Sequence, residues 1–232
     1  APDTRCAHAA PGPAWRRFQC RVRGCAARFV TLAMLAGLPG LAGAAGAGAD
    51  PALAAASPEV RRTVLGIKAS QDNAGAPFHV IDKKQARLFA FDADGRLLGT
   101  TAVLLGAAIG DHSVPGIGNR PMGQIRPEER TTPAGRFVSE QGKNLKGEDV
   151  TWVDYDNAVS LHRVRTGKPA ERRLERLATA TPDDNRISYG CINVPVAFYE
   201  RHIRPGQRSK RPAVIYVLPE TGSATNALAP GS

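Results

Sequence analysis

Between Phe78 and Leu218 the chain passes through a succession of short stretches rich in β-branched and aromatic residues. They are Phe78–Asp82, Ala86–Phe91, Leu97–Leu105, Gly135–Val138, Val150–Asp154, Ala158–Val164 and Pro212–Leu218. Runs of this length, bounded by Gly, Pro and Asp, read as strands and leave room for only a few helices. Asp92-Ala93-Asp94-Gly95 joins the second run to the third as a hairpin turn, with Gly95 able to take positive φ. Helical spacing is confined to three places. Pro58–Lys68 carries Val60, Val64 and Ile67 on one side. Lys168–Thr179 has Pro169 in its first turn and a narrow apolar side of Leu174, Leu177 and Ala178. The third helix is expected from about Val194 to Ile203, with Asn193 as its N-cap. Gly106–Gly135 is rich in Gly and Pro and shows no period, the mark of a long loop that is either functional or disordered. The fold expected from these patterns is mostly β, one domain with a few short helices.

The first 49 residues read differently. Arg5, Arg16, Arg17, Arg21, Arg23 and Arg28 precede a charge-free run from Phe29 to Ala49 that ends in small residues. That order is expected of a secretory signal peptide spanning 1–49, removed before Asp50; a retained transmembrane anchor is the alternative, weakened by Pro39 and the many Gly and Ala. After cleavage, residues 50–77 would form a linker and short helix, 78–219 the folded domain and 220–232 a flexible tail. The full chain carries a formal charge of +10 from 31 basic and 21 acidic residues. Loss of the six leader arginines and Asp3 lowers this to +5. A moderately basic protein suits an anionic envelope polymer, and no zinc spacing, helix-turn-helix or aromatic RNA-binding signature favours nucleic acid.

Cleavage would also remove Cys6, Cys20 and Cys25, leaving Cys191 as the lone thiol. A single cysteine exported to an oxidising compartment implies a chemical task. Its setting fits one: Ile187-Ser188-Tyr189-Gly190-Cys191-Ile192-Asn193-Val194-Pro195 places a thiol just after a glycine, where backbone N–H groups can line an oxyanion site. A thiolate needs a base, and the histidines at 79, 112, 162 and 202 are the candidates. His162 is the best placed, in a strand whose same-face neighbours are Ser160 and Val164. His202 is expected on a solvated helix face, His79 in a structural role, and His112 in the long loop.

Ser188-Tyr189-Gly190-Cys191-Ile192-Asn193, preceded by a strand histidine, resembles the signature of the L,D-transpeptidases with the YkuD-type catalytic domain: Ser/Thr-His-Gly-Cys, a hydrophobic residue, then Asn or Arg. Thr132-Pro133-Ala134-Gly135-Arg136-Phe137 resembles that family's Thr-Pro-x-Gly-x-Phe element, and Val80–Gln85 with Leu88–Gly95 its opening hairpin. The resemblance spans Phe78 to Leu218.

The resemblance implies a β-sandwich of mixed sheets and a set of roles. Cys191 would be the acyl-accepting nucleophile, His162 the general base, Ser188 an aid in orienting it, and Gly190 with the Cys191 N–H the oxyanion site. Beside these carried-over roles, this sequence's own Tyr189, Asn193, Arg163 and Arg186 are expected to contact substrate, with Arg163, Arg165 and Arg186 reading carboxylates. The implied substrates are peptidoglycan tetrapeptide stems in the periplasm or cell envelope, joined by 3→3 cross-links, with no metal or organic cofactor. Resolution of the thioester by water, as in an L,D-carboxypeptidase, or by a lysine of an envelope lipoprotein uses the same chemistry. A non-catalytic wall-binding module is the reading of another class, and a lone exported thiol argues against it. A papain-like protease would place its cysteine before its histidine. Three departures stand out: Tyr189 replaces the family's histidine before Gly-Cys, Arg163 replaces the glycine common after the base, and the spacer from His162 to Cys191 is long. Helix 168–179 is expected as an inserted lid.

Overall fold

Strand β1 (Phe78–Asp82) is buried along its whole length because both of its faces are covered. Phe78 and Val80 point to one side, and His79 and Ile81, by the alternation of a strand, to the other. In the computed structural model, which describes residues 50–208 and 212–222, β1 is the middle of a five-stranded sheet. Its order is β3 (Leu97–Ala102), β2 (Arg87–Phe91), β1, β11 (Val214–Val217) and β5 (Gly135–Val138). Only β1 and β11 run parallel; the other pairs are antiparallel.

A second sheet has the order β10 (Ile192–Val194), β8 (Val159–Arg163), β7 (Asp149–Asp154) and β6 (Glu140–Lys143), with β8 and β10 parallel. A small parallel pair joins β4 (Leu105–Gly106) to β9 (Arg186–Ser188). The protein is therefore mostly β with mixed sheets and short helices, as the sequence patterns imply. All described residues fall in one compact unit.

Two apolar layers flank the five-stranded sheet. Between the sheets lie Ile81, Leu88, Leu105, Val159, Leu161, Ile192, Val194 and Ile215, joined by Tyr199 and Ile203 from the C-terminal helical segment. On the outer face, Phe78, Val80, Phe89, Phe91, Val214 and Tyr216 pack against Val60, Val64 and Ile67 of a helix. That helix, α2 (Pro58–Ser70), follows the short α1 (Pro51–Ala54). Ser57 caps α2 by accepting from the Val60 N–H, Pro58 opens its first turn, and the Ser57 hydroxyl also donates to Asp82 Oδ2 at 2.6 Å. Burial of its three apolar side chains contributes about 1.5–3 kcal/mol each.

Several elements differ from their sequence expectations. Leu97–Leu105 is two strands: the chain leaves β3 after Ala102 and crosses to β9 through β4. The stretch expected as a helix from 168 to 179 breaks at Arg172, at φ +48°, into a 3₁₀ turn (Pro169–Glu171) and α3 (Arg173–Ala178). No residue of α3 is buried: Leu174 is 57% exposed and Leu177 half-buried, so the expected apolar side stays outside both apolar layers. Asn193 is not an N-cap. It belongs to β10, and Pro195 takes the cap position before α4 (Val196–Phe198), because β10 gains ladder bonds to β8 through Val194. The helix continues as a π-helical stretch (Tyr199–Ile203) and α5 (Arg204–Arg208); Pro205, which lacks an N–H, follows the widened turn.

The loop from 106 to 134 contains three 3₁₀ turns and is pinned from beneath by Lys83. That ammonium is fully buried and donates to Gly110 O (2.6 Å), Asp111 Oδ1 (2.8 Å) and Thr132 O (2.8 Å). Asp111 in turn accepts from the backbone N–H groups of Glu220, Thr221 and Gly222, so the first residues of the expected tail are tied to the loop. Burial alone would raise the Asp111 carboxyl, but donors from Lys83, Thr221 and the backbone hold it well below the ordinary carboxylate range. The expected signal peptide, 1–49, and the tail beyond 222 lie outside the described residues. Among the described residues no helix is long and apolar enough to cross a membrane.

Candidate active site

The parallel pairing of β8 with β10 decides what stands beside what. Its register sets Ile192 against Leu161 and Asn193 against His162. Leu161 and Ile192 point into the core, so Ser160, His162, Cys191 and Asn193 share the opposite face. Cys191 therefore lies beside Ser160, with Sγ 3.5 Å from the Ser160 hydroxyl oxygen, and its thiol also points to Ala158 O at 3.6 Å. His162 sits one diagonal step along the same face, its ring contacting Arg163 and Asn193. Cys191 is buried, with 7% of its surface exposed, and His162 is half-buried.

Two hydrogen bonds orient the imidazole. Nδ1 lies 2.7 Å from Arg163 O, and a carbonyl only accepts, so Nδ1 carries the proton. Nε2 is left with its lone pair, 3.3 Å from Nδ2 of Asn193. The same Nδ2 lies 3.4 Å from the carbonyl of Cys191, which ties the histidine to the cysteine's own peptide group. Asn193 is wholly buried, and its backbone is fixed on both sides by paired bonds to Leu104, each 2.9 Å.

Ser188 does not perform the expected task of orienting His162. Its hydroxyl donates to Cys191 O at 2.6 Å and accepts from the Gly190 N–H at 3.1 Å, closing the turn that presents the thiol. The Gly190 N–H, expected at the oxyanion site, is thus engaged within the turn. Gly190 is required for another reason: its φ is +122°, and a Cβ there would lie 2.7 Å from Thr131 O. Thr132 completes the clamp, donating to Gly190 O at 2.8 Å while accepting from the Gly106 N–H at 2.9 Å. Thr132 was visible as part of a motif, but its role depends on three segments meeting.

The arginines are distributed differently from expectation. Arg163 is engaged within the fold: its guanidinium contacts Glu200 (2.6 Å) and Asp149 (3.0 Å) and lies 4.1 Å from the centre of the Tyr199 ring. Arg165 pairs with Glu148. Arg186 pairs with Glu220 and donates to Lys83 O at 2.9 Å. Opposite charges close at hand explain all three, since each neutralises a carboxylate within the fold. Tyr189 lies on the cysteine turn, with the Arg130 guanidinium stacked 3.9 Å from its ring centre.

Two features at the site were not anticipated. Ser160 was seen only as a small neighbour of His162, yet it contacts the thiol. Arg173, at the start of α3, donates to Asn193 Oδ1 at 2.6 Å. The other histidines stand apart from these contacts. His79 is buried and its Nδ1 has no partner, in keeping with a structural role. His202 is half-buried against Phe198 rather than solvated, and His112 is exposed. Among the described residues no group of His, Cys, Asp and Glu is arranged to hold a metal ion.

No family model matches the chain, and no curated protein matches it. Among solved structures, it is similar to the NMR structure of the catalytic domain from E. faecium L,D-transpeptidase, at 16% identity and a TM-score of 0.35, over 62% of this chain and 98% of that one. It is also similar to the crystal structure of a mutant Enterococcus faecium L,D-transpeptidase, at 16% identity and a TM-score of 0.30, over 61% of this chain and 50% of that one. Likeness of that degree says nothing about chemistry, which has to be read from the site's own residues.

Proposed function

We propose that this chain is a cysteine-dependent acyltransferase of the cell envelope, an L,D-transpeptidase acting on peptidoglycan tetrapeptide stems. The observation that carries the reading is the β8–β10 register, which sets Cys191 beside Ser160 and Asn193 beside His162 on one face. The resemblance of Ser188–Asn193 and Thr132–Phe137 to that family's motifs supplies the substrate class.

In this mechanism the Cys191 thiol gives its proton to Nε2 of His162, the unprotonated nitrogen, which exchanges its contact with the Asn193 amide for that proton. The thiolate attacks the carbonyl on the diamino acid of the stem, and the tetrahedral intermediate collapses as the C–N bond to the terminal D-alanine breaks. That amine leaves with the proton from His162, and Cys191 holds the acyl group as a thioester. An amine of a second stem then attacks the thioester, His162 takes its proton, and the restored thiol departs. Ser188, Gly190 and Thr132 keep the cysteine turn rigid while the carbonyl of Arg163 holds the imidazole.

The test is mass spectrometry of the purified full chain incubated with disaccharide-tetrapeptide muropeptides. Dimers linked 3→3, with none from Cys191→Ala, are the expected outcome. The variant should melt with the wild type, since one thiol contributes little to this core. Tripeptide without dimers would replace the transpeptidase reading with a carboxypeptidase. A Cys191→Ala rate equal to wild type would overturn the mechanism.

A further inference from the structure

We propose that Arg173 is a positioning residue for His162, so that docking of α3 and alignment of the base are one event. The inference rests on the reading of Cys191 and His162 as the reacting pair.

An asparagine side chain can offer a neighbour either its oxygen or its NH₂. Arginine only donates, so the 2.6 Å bond from Arg173 Nη1 obliges Asn193 to turn its oxygen toward α3. The NH₂ must then face the other way, where it meets His162 Nε2 at 3.3 Å and Cys191 O at 3.4 Å. Arg163 O already requires the proton on Nδ1. The chain Arg173–Asn193–His162 thus holds the ring in one orientation and one tautomer, with the Nε2 lone pair accepting from the Asn193 amide. Without the guanidinium, the amide can reverse, offer its oxygen to an Nε2–H and let the ring turn over.

The device sits on a helix with little else to hold it. No residue of α3 is buried, and six residues are too few for a stable isolated helix. What ties it down is polar. Arg173 also donates to Glu171 Oε2 at 2.5 Å, and Arg176 donates to Glu171 O at 2.9 Å and Asp184 O at 2.8 Å. The Arg173 side chain is 16% exposed, beneath the helix rather than out in solvent. A purely structural clip has no need to end on the one amide that touches the base.

The experiment uses the full chain with ¹⁵N-labelled histidine, the His162 ring signals being assigned by their loss in His162→Gln. Wild type is expected to show the single Nδ1–H tautomer. Arg173→Ala should populate the Nε2–H tautomer as well, and Arg173→Lys, which keeps a donor, should return most of the wild-type signature. Melting of Arg173→Ala within about 2 °C of wild type shows that the change is local. In muropeptide turnover, kcat is expected to fall about tenfold with KM within a factor of two, and to recover in Arg173→Lys. An unchanged tautomer in Arg173→Ala overturns the inference, as does a loss confined to KM, which would make Arg173 a substrate contact. Tautomer loss without any acyl-enzyme on Cys191 would keep the positioning role and remove the acyl-transfer reading. Cross-linking with an unchanged tautomer would do the reverse.

Discussion

Helices α2 and α3 are held to the rest of the fold by opposite means. α2 has thirteen residues, a serine cap, a proline in its first turn and three apolar side chains set into the sheet. α3 has six residues, no side-chain cap, an arginine in left-handed conformation before it and no buried residue. The first gains its place from the hydrophobic effect, which is non-directional and proportional to area. The second depends on guanidinium groups that must find particular acceptors. An apolar seal fixes a helix without specifying any one atom, whereas a polar anchor can be aimed, and α3 is aimed at Asn193 beside the candidate base.

The same substitution in each helix should separate the two modes most widely. Ile67→Asp puts a carboxylate into the outer apolar layer and is expected to destabilise by more than about 4 kcal/mol, seen as loss of a cooperative urea transition. Leu174→Asp, on the exposed side of α3, should shift the transition by no more than about 0.5 kcal/mol. Equal effects would show that α3 has an apolar anchor after all.

Next in size is an acid sensitivity that belongs to the α2-bearing sheet. Burial, followed by the charge of His202, pushes the His79 imidazole down to about 4. The unfolded chain protonates this group near 6.5, so between those values the unfolded state binds the extra proton. Stability is therefore lost as pH falls through that window, by up to about 3 kcal/mol. His202, lowered by its own burial and then by Arg201, acts in the same direction. Urea midpoints at pH 7 and pH 4.5 should differ markedly in wild type and much less in His79→Leu. A flat profile in wild type would show that His79 is reached by solvent. A smaller effect is expected on the fixed side of the site. Ser188→Ala, which strips two bonds from the cysteine turn, should cost about 2 kcal/mol by urea titration, with the His162 tautomer unchanged. A tautomer change would show that the turn, as well as α3, orients the base.

The strands were the most legible part of the chain. β1 and β11 lie within the stretches read from composition, because both are buried on both faces and are written in mostly apolar residues. β6 was missed because Glu140–Lys143 is a polar edge strand, and β9 and β10 had no readable bounds because three residues are too few to show a period. The candidate nucleophile and base were legible as residue types in a familiar order. Their neighbours were not. Arg163 and Arg186 looked like readers of carboxylates, yet each is matched by an acid distant in sequence, Glu200 and Glu220. Arg173 stood among several arginines on a helix expected as a lid.

By itself, then, the sequence determined which stretches are strands, that Cys191 follows a glycine in a turn, and that His162 shares a strand face with Ser160. These are local properties, set by side-chain branching, backbone freedom and the two-residue period of a strand. The tertiary structure decided the register of β8 on β10, the choice of Arg173 over Arg163 and Arg186 as the arginine that reaches the site, and the orientation of the Asn193 amide. Those depend on contacts between segments far apart in the chain, and a hydrogen bond between two side chains exists only once the fold has brought both to one place.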